Sequence, residues 1–175
     1  MVALLKPRTG QALGAAVCLG LLGFGLYVQY VLGEEPCPLC IFQRVAYLGL
    51  MVLFVAAALH GPGRAGAAVY AALQVLVAAL GAAIAARHVW VQSLPPDKIP
   101  ECGPGLAYMM DRLPFMQMLE KVLRGSGECA NLGWSFLGLS MAGWSLVWFV
   151  ALGMFAAALG VLARQAGMSG ISSRS

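Results

Sequence analysis

Pro36-Cys37-Pro38-Leu39-Cys40 runs directly into an apolar stretch, Cys40 to Leu59 (CIFQRVAYLGLMVLFVAAAL), whose only charge is Arg44 near its start. A helix needs roughly 20 apolar residues to cross a hydrocarbon core. The stretch therefore reads as a membrane span with a Cys-X-X-Cys pair at its surface. Three further segments are long enough to cross: Gln11 to Leu32, Ala67 to Ala86 and Trp144 to Ala163. The composition agrees: 61% of the 175 residues are hydrophobic and 10% charged, with a mean hydropathy of +0.82, far from a soluble globular domain. The expected fold is an all-α integral membrane protein. Its four transmembrane helices (about 11-32, 40-59, 67-86 and 144-163) form a bundle with two outer cysteine-bearing loops, 33-39 and 88-133, in one membrane domain over 1-175. The first segment is too long for a cleaved signal peptide, and no Ala-X-Ala-like site precedes Glu34-Glu35, so it is expected to be retained. No repeat or interdomain linker interrupts the chain.

Orientation follows from the short flanks. Lys6 and Arg8 precede the first span, Arg64 lies in the second connection, and Arg164 and Arg174 follow the fourth. These positive flanks assign both termini to the cytoplasm. Both cysteine loops then face outward, where disulfides persist. The net charge of +4 is explained by this topology and gives no reason to expect nucleic acid as a partner. Trp90, Trp134 and Trp144 are expected at headgroup depth, where amphipathic rings gather. Within the long loop, Pro114 can open a helix with Phe115, Met118, Leu119, Val122 and Leu123 on one stripe. That stripe either lies on the membrane or packs against the rest of the loop.

Four of the five cysteines fall in the outer loops: Cys37 and Cys40 in the first, Cys102 and Cys129 in the second. Cys18 stands apart among Val17, Leu19 and Leu21 in the first span, where a cysteine behaves as a small hydrophobe. A bridge between Cys37 and Cys40 would close too short a loop to restrain the unfolded chain much, so redox work explains the pair better than a structural staple. Pro38 suits a first helical position, which puts Cys37 at the helix N-terminus and Cys40 in the first turn. The helix dipole favours a thiolate there, the species that attacks disulfides; Glu34 and Glu35 act in the opposite sense unless they point to solvent. Cys102 and Cys129 could close a structural loop worth about 3 kcal/mol of chain constraint. Equally, Glu101-Cys102-Gly103-Pro104-Gly105 presents one sulfur on a small-residue segment that a partner thiolate could reach.

Arg44 follows Cys40 by four residues, on the same helical face and one turn deeper. An ionisable residue at that depth is a functional candidate, able to hold a thiolate or donate to a carbonyl; the plainer reading is a side chain snorkelling to the headgroups. His88, at the outer end of the third helix, could face the same pocket or simply be solvated. His60 belongs to the opposite turn and reads as a surface residue.

Taken together, Pro36-Cys37-Pro38-Leu39-Cys40-Ile41-Phe42-Gln43-Arg44, the second cysteine pair, and Cys129-Ala130 leading into Trp134-Ser135-Phe136-Leu137-Gly138-Leu139 closely resemble the bacterial DsbB family of disulfide bond formation proteins. The likeness covers nearly the whole chain. It implies a disulfide-generating oxidoreductase of the bacterial inner membrane that reoxidises a periplasmic DsbA-like thiol oxidase and passes the electrons to membrane quinone, ubiquinone or menaquinone. On this resemblance Cys102 and Cys129 form the disulfide that accepts electrons from the partner, Cys102 being attacked. Cys129 then exchanges with Cys37 and frees Cys40 to react with quinone, while Arg44 and His88 are the quinone-site residues. The energetics fit: DsbA is a strong oxidant, which a glutathione pool does not regenerate and a quinone can. One departure is Met141-Ala142-Gly143-Trp144, where the family often has proline after the methionine.

Three other readings compete. A cysteine-rich metal-binding membrane module would need all four outer cysteines to converge in reduced form, whereas the chain has one short knuckle, and no metal is expected. A scaffold with two structural disulfides would show neither pair changing state. A relative of vitamin K epoxide reductase is closer in chemistry, but the four-span layout and the run from Cys129 to Leu139 argue against it.

Overall fold

The computed structural model describes residues 7–95 and 134–172 and, between them, 111, 114, 116, 117, 120, 122 and 127–130. Four long helices, α1 (Pro7–Tyr30), α2 (Pro38–His60), α3 (Arg64–Gln92) and α5 (Met141–Ser172), carry the fold; α4 is a short turn of helix, Gly127–Ala130. Each long helix is apolar and long enough to cross a membrane, since 23 residues rise about 35 Å. The helices run beyond the apolar spans that hydropathy marks out. In particular α3 continues to Gln92, so His88 sits inside a helix, and α5 begins three residues before Trp144.

Local chemistry sets the helix ends. Pro38 occupies the first turn of α2 behind Cys37, whose φ of −66° and ψ of 163° are those of an extended N-cap residue; proline fits there because no N–H is needed. Gly61 closes α2 in the left-handed region at φ 55°, its N–H bonded to the Ala57 carbonyl, and a Cβ there would collide with the Arg8 guanidinium. Only glycine meets both demands. At the start of α5, Ser140 Oγ accepts the Gly143 N–H at 3.2 Å and donates to Gln92 Oε1 at 2.6 Å. This serine cap defines the start of α5.

The core lies where α2, α3 and α5 meet, with α1 against α2. Tyr47 and Phe149 stack with centroids 4.1 Å apart among Cys18, Leu50, Phe54, Ala78, Ala85 and Ala156. Small residues let α3 and α5 approach closely: Gly153 faces Ala78, Gly160 faces Ala71, and Gly81 leaves room for the Phe149 ring. Such seams drive helix association where lipid removes the hydrophobic incentive. Farther from the cysteines, Gln74 donates to Gln11 across α3 and α1 at 2.7 Å. Cys18 is fully buried in this core, the small-hydrophobe role read from sequence.

Between α4 and α5 the run Trp134 to Ser140 forms a hairpin. Its strands, β1 (Ser135–Phe136) and β2 (Leu139–Ser140), pair antiparallel. Leu137 and Gly138 link them with φ of 52° and 78°, the positive pair that a type I′ turn requires. The hairpin bridges α1 and α5: Trp134 meets Phe24 of α1 edge-on at 5.1 Å, and Trp144 Nε1 of α5 donates to the Phe136 carbonyl at 3.0 Å.

Candidate active site

The cap that starts α2 holds Cys37 and Cys40 one turn apart. Their sulfurs lie 3.4 Å from each other as a dithiol. Cys37 is buried and Cys40 half-buried. Glu34 and Glu35, just before them, are exposed, so their charge is solvated at the rim.

His88 reaches the pair from α3. Its Nε2 is 3.7 Å from Cys37 Sγ and 3.1 Å from the Cys129 carbonyl oxygen, and its Nδ1 is 3.1 Å from Gln43 Nε2 and 4.0 Å from Cys40 Sγ. The Cys37 and Cys129 sulfurs and a ring nitrogen of His88 all lie within 4.8 Å of one another. Cys129 is brought there on α4 and buried beside Cys37, Leu39, Val91 and Val122. Of the stripe expected after Pro114, Val122 alone is described, and it packs inward on this cluster; Phe115, Met118, Leu119 and Leu123 lie outside the described residues. So does Cys102.

Beside the thiols opens a cavity of about 610 Å³. Cys37, Cys40, Gln43, Arg44 and Tyr47 of α2 form one wall, His88 and Gln92 the α3 side, and Leu21, Phe24, Gly25 and Val28 the α1 side. The hairpin and α5 supply Trp134, Phe136, Trp144, Ser145 and Trp148. Trp134 and Trp144, read from sequence as depth markers, thus line the cavity. Trp90 differs: it is exposed, with the Arg87 guanidinium 4.0 Å from its ring centroid.

Arg44 lies one turn below Cys40, as its spacing requires. Its guanidinium donates to Gln29 Oε1 and, at 2.9 Å, to the Gly25 carbonyl of α1, which holds the cation at the cavity wall. A guanidinium has five N–H donors in a planar fork, so these two contacts do not exhaust it. His60 is exposed at the other end of the bundle, 3.1 Å from the Tyr70 hydroxyl.

Sequence reasoning named Cys37, Cys40, Cys102, Cys129, Arg44 and His88; the structure brings five of these together, and Cys102 lies outside the described residues. It missed Gln43, although a buried amide three residues after Cys40 falls on the same helical face. It also missed the aromatic wall, whose signal was Trp134 and Phe136 two residues apart, a spacing that puts both on one face of an extended run.

A buried dithiol, a third cysteine within reach and a cavity inside a four-helix span define a membrane-embedded thiol–disulfide oxidoreductase. A family model described as disulfide bond formation protein DsbB matches residues 7–159. The chain belongs to the DsbB family of membrane disulfide bond formation proteins. It is 48% identical over 162 residues to disulfide bond formation protein B of Xanthomonas oryzae pv. oryzae (strain MAFF 311018), covering 92% of this chain and 94% of the relative. It is 49% identical over 145 residues to the Chromobacterium violaceum protein of that name (83% and 87% covered), and 49% over 150 residues to the Hahella chejuensis one (86% and 91%).

Proposed function

We propose that this chain, as one membrane domain of the bacterial inner membrane, reoxidises a periplasmic DsbA-like thiol oxidase and delivers the electrons to ubiquinone or menaquinone. Both termini lie in the cytoplasm and both cysteine loops in the periplasm. The observation that carries this reading is Cys40 and Arg44 on one wall of an aromatic cavity while Cys129 stands within 4.8 Å of Cys37. That arrangement supports a route for electrons from a second loop toward a volume suited to a small molecule.

In the proposed relay, a partner thiolate attacks Cys102 and forms a mixed disulfide with it, while the Cys102–Cys129 bond breaks and its electron pair leaves on Cys129 Sγ; the partner's second thiolate then closes the partner disulfide and releases Cys102 as a thiolate. Cys129 then attacks Cys37. The Cys129–Cys37 bond forms, the Cys37–Cys40 bond breaks, and the electron pair arrives on Cys40 Sγ at the cavity wall. The residues there fit a quinone: Phe24, Trp134, Phe136 and Trp144 offer faces and edges to a flat ring, and Arg44 offers N–H groups to its carbonyls, with His88 on the α3 side of the same cavity. A quinone bound there supplies a two-electron acceptor. Arg44 would stabilise negative charge growing on the acceptor oxygen, and the apolar wall would exclude water. The rival metal-binding reading gains three converging ligand atoms, but His88 Nε2 faces a carbonyl oxygen, which only accepts, so that nitrogen bears a proton where a metal needs a lone pair.

The test is purified protein mixed with a reduced thioredoxin-like oxidase and each quinone in turn, following quinone absorbance and partner thiols together. One quinone reduced per partner disulfide formed is expected. Partner oxidation with no quinone consumed would overturn the proposal. In intact spheroplasts, an impermeant thiol reagent applied after reduction should label Cys102; labelling only after lysis would reverse the topology.

A further inference from the structure

We propose that Gln43 and His88 are positioning residues for the thiol exchange between the two loops: the Gln43 amide sets the His88 ring so that its Nε2–H holds the Cys129 backbone against Cys37. The inference rests on the relay proposed above and assigns it two residues on different helices. Its basis is a hydrogen-bonded row across three elements. Gln43 of α2 meets His88 Nδ1 at 3.1 Å, and His88 Nε2 meets the Cys129 carbonyl of α4 at 3.1 Å. Both side chains are buried, Gln43 with 4% and His88 with 3% of its surface exposed.

The partners dictate the tautomer. A carbonyl oxygen has only lone pairs, so the His88 proton must be on Nε2. The neutral ring then accepts at Nδ1, and the primary amide of Gln43 supplies the donor. An ionised carboxylate in place of Gln43 would reverse this: it only accepts, so it would call for a proton on Nδ1. A neutral ring would then turn a bare Nε2 lone pair toward the carbonyl, and the clamp on Cys129 would be lost.

The clamp matters because α4 is four residues long and cannot hold a sulfur in place by its own helical bonds. The His88 bond ties its backbone to a long helix. With Cys129 Sγ inside 4.8 Å of Cys37 Sγ, attack needs only a small approach, and such pre-positioning turns an encounter between loops into a local step. In that step the Cys129–Cys37 bond forms, the Cys37–Cys40 bond breaks and the electron pair leaves on Cys40. The same Nε2 stands 3.7 Å from Cys37 Sγ, so the nitrogen that holds the carbonyl also neighbours the attacked sulfur.

The chain has two histidines, so nitrogen NMR of ¹⁵N-histidine-labelled full-length protein reads the tautomer directly, with His60→Gln assigning the other ring. The wild type should show a neutral His88 protonated at Nε2. Gln43→Met, which removes the donor, should mix the tautomers, and Gln43→Glu should move the proton to Nδ1 or charge the ring. Trapping the Cys37–Cys129 disulfide after adding reduced partner should show exchange about tenfold slower in both variants, the scale of one lost hydrogen bond. Partner-driven turnover should fall further than turnover driven by a small dithiol acting on Cys37 and Cys40. An Nδ1-protonated ring in the wild type would overturn the inference even if the variants failed to fold, as would equal losses with both electron donors. Should wild-type protein carry no electrons from partner to quinone, the proposed function fails on its own, and the nitrogen spectrum still judges the Gln43–His88 row.

Discussion

Gln43 and Gln74 are buried in opposite halves of this bundle, and their surroundings separate packing from chemistry. Gln74 bonds to Gln11 across an apolar seam, and its own Oε1 has no hydrogen-bond partner among the described residues. Gln43 bonds to a histidine that also touches the Cys37 sulfur and the Cys129 backbone, next to a cavity. Both amides are out of water in a membrane span, so burial of a polar group does not by itself mark function. Convergence is the sharper guide: at Gln43 polar atoms from three elements meet the thiols, while at Gln74 the hydrogen bond among the described residues is to a second amide.

The strongest way to break the comparison is to remove the chemistry from the active end and leave the packing intact. Cys40→Ser should lower quinone-linked turnover at least about a thousandfold, as loss of a nucleophile acting within a unit does, with thermal unfolding in detergent unchanged. Cys37→Ser, Cys102→Ser and Cys129→Ser should match it. Full turnover in Cys102→Ser would remove the second loop from the relay.

Arg44→Ala comes next. A charge donor aimed at a developing oxyanion is worth about 2.7–4 kcal/mol, or roughly a hundred- to a thousandfold, so kcat/KM for quinone should fall on that scale. Arg44→Lys keeps the charge without the planar fork and should fall between the two. Because Arg44 also ties α2 to Gln29 and Gly25 of α1, melting curves must accompany the kinetics. Unchanged quinone kinetics in Arg44→Ala would leave only this anchoring role. A smaller loss is expected for Trp144→Phe, which retains an aromatic face but cannot donate to the Phe136 carbonyl: KM for quinone should rise about tenfold or less, with kcat nearly constant.

The active end was legible wherever it relied on charge, sulfur or proline. Cys37 at an N-cap, Pro38 behind it, Cys40 in the first turn and Arg44 one turn on follow from spacing, and the structure repeats that spacing. Hydropathy was less informative about helix ends, because it marks where a helix meets lipid and not where its hydrogen bonds stop; Arg87, His88 and Gln92 are polar, yet α3 runs through them. The hairpin had no periodicity to betray it, being two residues per strand, and its clue was the Leu137-Gly138 turn. Gln43 was passed over by a reading tuned to charges, although it follows Cys40 by three residues on one helical face and its partner His88 was noted. None of these residues is adjacent in sequence to the groups it serves, so their roles emerged only from the packing of α2, α3 and α4.

The smallest effect belongs to the other glutamine. Gln74→Leu removes one interhelical hydrogen bond, a contact whose measured worth in membrane bundles averages about 0.6 kcal/mol. The same change removes a carbonyl oxygen left without a hydrogen-bond partner among the described residues, which works in the opposite direction. Leucine branches one carbon closer to the backbone and has one side-chain heavy atom fewer, so the bundle has no new volume to absorb, but Gln11, itself only 8% exposed, loses the donor to its oxygen. These terms offset to within about 1 kcal/mol, so the unfolding midpoint in detergent should hardly move and quinone turnover should stay at the wild-type value. A turnover loss in Gln74→Leu as large as that in Gln43→Met would mean that the two ends of the bundle are coupled, and that the division between packing glutamine and working glutamine is wrong.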